Sequence, residues 1–173
     1  MGYVGLPWGV EFAASGLHYV GFEVDAGKAD SLNRGESYIE DISCEQLKPL
    51  VDSGVFSATT DFDALSDMDV ISICVPTPLS KTRDPDMSYV MTATEAIAKR
   101  LRKGQLVILE STTYPGTTRG EVLPLLEQTG LRCGEDFFLA YSPEREDPGR
   151  SIETGAIPRL VGGVDEASAD MAM

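Results

Sequence analysis

Along this chain, short β-branched apolar runs are separated by stretches in which apolar residues recur every three or four positions. That alternation predicts an α/β domain built on a mostly parallel sheet. Residues 6–15 read as a short helix, 19–24 as a strand, 28–34 and 44–52 as two helices and 55–59 as a short strand. A helical turn at 61–65 leads into the run Val70-Ile71-Ser72-Ile73-Cys74-Val75, whose apolar character on both faces suits a central strand ended by Pro76 and Pro78. The longest helix is expected at 88–101, with Val90, Met91, Ala93, Ile97 and Leu101 spaced for one buried face. Strands at 106–109, 137–141 and 159–162 follow, with a helix at 118–128 and a polar Pro/Gly-rich loop at 142–155. The fold class is a Rossmann-like, doubly wound sheet with helices on both faces.

Composition narrows the possibilities. With 173 residues, 42% hydrophobic and 24% charged, the chain can bury the core of one domain. No stretch approaches the roughly 20 apolar residues that span a bilayer, and the opening residues lack a secretory pattern. A cytoplasmic location and no membrane partner are therefore expected. Cys44, Cys74 and Cys133 are three in number and lack ligand spacing, which argues against a disulfide framework or a metal site and for reduced thiols. A formal charge of -14, from 28 acidic and 14 basic residues without a basic run, argues against nucleic acid as a partner.

The chain's opening carries candidate chemistry. A doubly wound nucleotide-binding domain begins with a buried strand ending in GxGxxG, so that backbone N–H groups at a helix N-terminus approach a pyrophosphate. Gly2-Tyr3-Val4-Gly5 match the last four positions of that motif, with Met1 at the variable second position and the first glycine and its strand absent. Taken alone, a GxxG before a helix is more often a packing or turn feature. Glu23 changes the weighting, because it stands at a strand end near the roughly 20-residue spacing at which an acid takes the adenosine ribose hydroxyls. An acid there favours NAD over NADP; the alternative is a solvated strand-end carboxylate. Lys28 would lie beside the same ribose or a phosphate, or be simply solvated.

Further along, two prolines flank Thr77 at a strand end and stiffen a turn at the sheet's carboxyl edge, where open α/β folds bind ligands. Thr77 is thus a cofactor-contact candidate. Glu110-Ser111-Thr112-Thr113-Tyr114-Pro115-Gly116 places hydroxyls at another strand end before a Pro-Gly turn. Thr117 and Thr118 also suit capping of the next helix ahead of Glu121.

GYVGLP at 2–7, LNRGESYIED at 32–41, VPTP at 75–78, ESTTYPGTT at 110–118 and YSPEREDPG at 141–149 together carry a resemblance. The chain resembles the UDP-glucose/GDP-mannose dehydrogenase family over nearly its whole length, and its last two segments are most similar to the branch of UDP-N-acetylglucosamine 6-dehydrogenases. Combined, these segments are far more specific than any glycine motif.

The resemblance implies NAD as cofactor, a UDP-sugar as substrate and a homo-oligomeric parent enzyme in sugar-polymer precursor synthesis. It implies oxidation of the sugar C6 alcohol to a carboxylate in two hydride transfers to two NAD molecules, through a thiohemiacetal and a thioester on a cysteine. The cofactor-binding candidates are thus Gly2, Tyr3, Val4, Gly5, Glu23, Lys28 and Thr77 from the residues themselves, joined by Thr112, whose contact with the cofactor the resemblance implies. Thr112 also helps position a water or proton relay at the reacting centre, and Glu144 orders catalytic water. Glu144 and Arg145 line the substrate pocket, Arg145 offering paired donors to a carboxylate or phosphate. Where the UDP-glucose branch has Phe-Leu and a second glutamate, this chain has Arg145-Glu146-Asp147, so that second acid does not carry over. Glu146 and Asp147 stand equally well as solvated loop charges.

The implied division is 1–163 for the NAD-binding domain, incomplete at its N-terminus, and 164–173 for the start of a connecting helix, without the central helix and UDP-sugar-binding domain. The family's reactive cysteine, a lysine and an asparagine would lie beyond residue 173, and Cys44, Cys74 and Cys133 do not replace that cysteine. Cys74 reads as a core residue of the central strand. His18 receives no role. The fragment is accordingly expected to lack turnover. An alternative is a non-catalytic nucleotide-binding or degenerate module. Another Rossmann dehydrogenase, such as one for 6-phosphogluconate or hydroxyacyl-CoA, would share the fold without explaining ESTTYPGTT and SPEREDPG.

Overall fold

A computed structural model of the chain describes residues 1–79, 85–143 and 159–173. These fall into two compact units, one containing residues 1–62 and the other residues 63–143 and 159–173.

In the first unit, α1 (Gly5–Ala14), β1 (Tyr19–Phe22), α2 (Ala26–Asn33), α3 (Cys44–Asp52) and β2 (Phe56–Thr59) follow in order. β1 and β2 run parallel, with Tyr19 opposite Phe56 and Phe22 opposite Thr59. Period-two burial is clean on β2, where Phe56 and Ala58 are buried and Ser57 is exposed. α1 turns Leu6, Gly9 and Ala13 inward at helical spacing. A Cβ on Gly9 would sit 2.6 Å from Tyr19 Cε1 and 2.8 Å from Phe56 Cε2, so glycine alone lets the helix lie this close to the strands. Leu6, Leu32, Ile39, Ile42, Leu47 and Phe56 form the unit's core.

Local capping fixes the helix starts. Asp25 accepts the Gly27 and Lys28 N–H groups ahead of α2. Ser43 and Gln46 make a reciprocal capping box at α3, whose expected bounds are met. At the end of α2, Asn33 donates to the Ala58 carbonyl and accepts from the Ala58 N–H, both at 2.8 Å, serving β2 as a neighbouring strand would.

In the second unit, β3 (Val70–Ile73), β4 (Leu106–Leu109) and β5 (Phe138–Tyr141) are parallel, and β6 (Gly162–Gly163) joins β5 antiparallel in the order β3-β4-β5-β6. α4 (Ser88–Ala98), α5 (Leu123–Glu127) and α6 (Glu166–Ala172) accompany them, with a 3-10 turn at Phe62–Asp67 and a π-type turn at Thr118–Val122 that runs into α5. Gln105, wholly buried, donates to the Leu65 and Met68 carbonyls and accepts the Arg102 N–H, which ties the turn after Phe62 to the start of β4.

Two expectations change here. The run 70–75 is not a central strand within the described sheet: β3 lies at its end, stops at Ile73, and leaves Val70 57% exposed and Ser72 exposed. An apolar run reports side-chain character, not whether a neighbouring strand covers both sides. Cys74 follows β3 rather than lying within it, and is only half-buried. The last strand is not 159–162 but the two residues Gly162–Gly163, and Arg159, which lies before it, is engaged through its side chain by Glu110. A Cβ on Gly163 would meet the backbone of Asp165 and Ala169, so a glycine is required where β6 turns into α6.

Candidate functional site

In the first unit, the chain enters α1 through Gly2-Tyr3-Val4 with no side-chain cap and no acid in the first turn. Uncapped first-turn N–H groups and the helix dipole make such an end receptive to an anion. The Leu6 N–H returns to the Gly2 carbonyl at 3.0 Å. A Cβ on Gly2 would meet none of the described residues within 4 Å. Tyr3 is exposed and Gly5 is buried as the first residue of α1.

Glu23 is not a solvated carboxylate. It lies just past β1, its N–H donating to the Thr59 carbonyl, and is only 8% exposed. Oε1 accepts from the Val24 N–H at 2.9 Å and the Asp25 N–H at 3.4 Å, and Oε2 accepts from the Met1 amino group at 2.6 Å. Burial opposes ionisation of Glu23, but the Met1 amino group and the two backbone N–H groups together outweigh it. Its carboxyl therefore titrates below the usual glutamate value. Lys28, exposed on the first turn of α2, holds its ammonium 5.6 Å from the centre of the Tyr38 ring.

In the second unit, Thr77 is half-buried beyond β3 and Thr112 is exposed beyond β4. No hydrogen-bond partner for either hydroxyl is found among the described residues. Ser111, between β4 and Thr112, accepts the Val75 N–H and donates to the Val75 carbonyl, both at 2.8 Å, tying the Thr77 turn to the Thr112 turn. Beneath it, buried Glu110 accepts from the Ser72 hydroxyl and from Arg159, each at 2.6 Å. Thr117 does not cap the following helix: it is buried and its hydroxyl donates back to the Tyr114 carbonyl. Ser142 is buried after β5, and its hydroxyl finds no partner among the described residues. Glu144, Arg145, Glu146 and Asp147 lie outside the described residues.

Tyr38, Glu110, Ser111 and Asn33 are working residues that the sequence reading passed over. All but their position was in view, since each stands in a segment quoted for its resemblance. Of the cysteines, Cys44 is exposed, whereas burial pushes the Cys133 thiol up against only a weak Ser168 contact at 3.6 Å. That setting disfavours the thiolate. His18 is exposed. Among the described residues there is no cluster able to hold a metal ion, and no helix is long and apolar enough to cross a membrane.

A parallel α/β arrangement with an uncapped glycine turn and a buried acid past the first strand defines a dinucleotide-binding protein, and these residues fit the adenosine-diphosphate half of NAD. The chain belongs to the UDP-glucose/GDP-mannose dehydrogenase family, as its NAD binding domain, the match running over residues 1–173. It is 39% identical to the UDP-N-acetyl-D-mannosamine dehydrogenase of Pyrococcus horikoshii, over 99% of this chain and 41% of that protein. Against the UDP-N-acetyl-D-glucosamine 6-dehydrogenase of Pseudomonas aeruginosa the identity is 37%, over 95% of this chain and 40% of that protein. A solved ternary complex of the GDP-mannose dehydrogenase of Pseudomonas aeruginosa superposes with a TM-score of 0.91 at 33% identity, covering 99% of this chain and 41% of that one. The chain thus spans about two fifths of the length of these relatives.

Proposed function

We propose that this chain is the cofactor-binding part of an NAD-dependent UDP-sugar 6-dehydrogenase, acting on UDP-N-acetylglucosamine, UDP-N-acetylmannosamine or UDP-glucose in the cytoplasm. The observation that carries this reading is the buried, ionised Glu23 beside the uncapped glycine turn. The Glu23 carboxylate would accept the ribose hydroxyls and repel a 2′-phosphate. Backbone N–H groups entering α1 would receive the pyrophosphate, with Lys28 adding positive charge. Thr77 and Thr112, whose hydroxyls have no partner among the described residues, are the further candidates for cofactor contact. Glu144 would order the catalytic water, and Arg145 would pair with the sugar nucleotide; these two roles rest on the motif alone. Bound NAD supplies the hydride acceptor. The parent enzyme is read as a homo-oligomer whose activity serves polysaccharide precursors.

By itself the 173-residue chain is proposed to bind NAD without turnover, since the reactive cysteine implied by the resemblance matches none of Cys44, Cys74 and Cys133, and burial disfavours the Cys133 thiolate. NADH formation with the three UDP-sugars, alongside calorimetry with NAD, tests both parts. Binding without NADH is the expected result. Clear turnover would overturn the inactivity of the fragment, and a folded chain indifferent to NAD would overturn the cofactor role.

A further inference from the structure

The amino group and the carbonyl of Met1 are both held by side chains. Its amino nitrogen donates to Glu23 at 2.6 Å, and its carbonyl accepts from the Tyr38 hydroxyl at 2.7 Å. Among the described residues no peptide bond is cis, so the planar Met1–Gly2 bond sends its C=O and its N–H to opposite sides. The hydroxyl that anchors the Met1 carbonyl therefore also sets the direction of the Gly2 N–H. Among the described residues that N–H has no acceptor, and none of them lies within 4 Å of where a Cβ on Gly2 would stand. On the same wall the Tyr38 ring carries the Lys28 ammonium at 5.6 Å, within cation–π range. Burial, then the Glu23 and Asp25 carboxylates, push the Tyr38 phenol up to about 12, which keeps it a donor at neutral pH.

We propose that Tyr38 is a positioning residue of the pyrophosphate cradle: through the Met1 carbonyl it aims the Gly2 N–H at the side of the loop that receives phosphate oxygens, and its ring holds Lys28 nearby. This rests on the cofactor reading of the same site given above. Tyr38→Phe isolates the effect, because it keeps the ring under Lys28 and removes only the hydroxyl.

Titrating the 173-residue chain with NAD, ADP and adenosine, by calorimetry or by chemical shifts, is the test. In Tyr38→Phe, NAD and ADP are expected to bind about 5-fold more weakly, the effect of one neutral hydrogen bond, while adenosine, which carries no phosphate, is unchanged. A general structural defect would instead weaken all three alike, and that result, or unaltered NAD and ADP binding, overturns the proposal. A second readout needs no substitution. In the unsubstituted chain the Gly2 amide resonance should move on adding ADP and stay put with adenosine, and an amide indifferent to ADP also overturns the proposal. An unsubstituted chain that binds none of the three ligands sinks the cofactor reading itself, a distinct outcome.

Discussion

Arg159 donates to Glu110 across 2.6 Å, an ion pair whose side chains are only 19% and 6% exposed. It links the residues before β6 to the end of β4, and Ser72 on β3 completes the carboxylate's shell. Removing one partner leaves a buried charge uncompensated, so Arg159→Met is expected to destabilise the chain by about 3 kcal/mol. The double change Glu110→Leu with Arg159→Met should recover most of that loss, since apolar replacement of both partners is often near neutral. Urea unfolding of the three proteins decides it: a double variant as unstable as the single would mean that the pair is not the source.

Replacing Gly9 by alanine sets two effects against each other. Alanine favours the helix by about 1 kcal/mol over glycine. The new Cβ, however, would stand 2.6 Å from the Tyr19 ring, which cannot swing aside: it stacks on Phe56 with centroids 5.6 Å apart, and its hydroxyl donates to the Gly5 carbonyl at 2.9 Å. Overpacking of about 1–3 kcal/mol should dominate. A lowered melting temperature for Gly9→Ala is expected, and a raised one would show that the rings yield.

Much of this architecture was legible from pattern. The Ser43–Gln46 capping box announces α3 at its observed start, and the apolar run 106–109 gives β4 without error. Glu23 could be singled out by its distance from Gly5. What pattern could not show is what fills the space around a residue: Val70 has the character of a covered strand and is exposed, and Thr117 has the chemistry of a cap but bonds backwards to Tyr114. Tyr38 escaped for the same reason. Its role depends on a carbonyl at the far end of the unit, and no local spacing encodes that contact.

Asn33 stands in for a strand beside Ala58, and its loss should appear in amide exchange before it appears in activity. Asn33→Ala removes both 2.8 Å bonds and leaves the Ala58 N–H and carbonyl without that partner, at a loss of about 2 kcal/mol. Exchange at the Ala58 amide is expected to accelerate well beyond that of its neighbours on β2. Uniform acceleration over the whole strand would instead indicate a global effect.

The elevated Tyr38 phenol gives a signed pH dependence. Because folding raises its value, the neutral phenol's contribution to stability is complete below the ordinary tyrosine value of about 10 and is lost as pH rises through about 12. An absorbance titration of the folded chain should show a late-ionising phenol, and Tyr38→Phe should remove that late step. A late step that survives in Tyr38→Phe, or no late step at all, would contradict the partial desolvation and the acidic neighbours of Tyr38.

Glu23→Gln keeps the side chain's shape and its acceptor oxygen on one side while removing the charge. If the carboxylate receives the ribose hydroxyls, charge-assisted bonds worth about 1.5–3 kcal/mol weaken, and NAD affinity should fall by roughly 10-fold or more. The same change removes the repulsion toward a 2′-phosphate, so NADP should lose less than NAD, or gain. Since the Glu23 carboxyl titrates below the usual glutamate range, NAD affinity in the unsubstituted chain should hold steady through weakly acidic pH and decline only when the solution falls below that range. Calorimetry with both dinucleotides over an acidic pH series measures all three effects. Equal losses for NAD and NADP would assign Glu23 to holding Met1 in place rather than to choosing the cofactor.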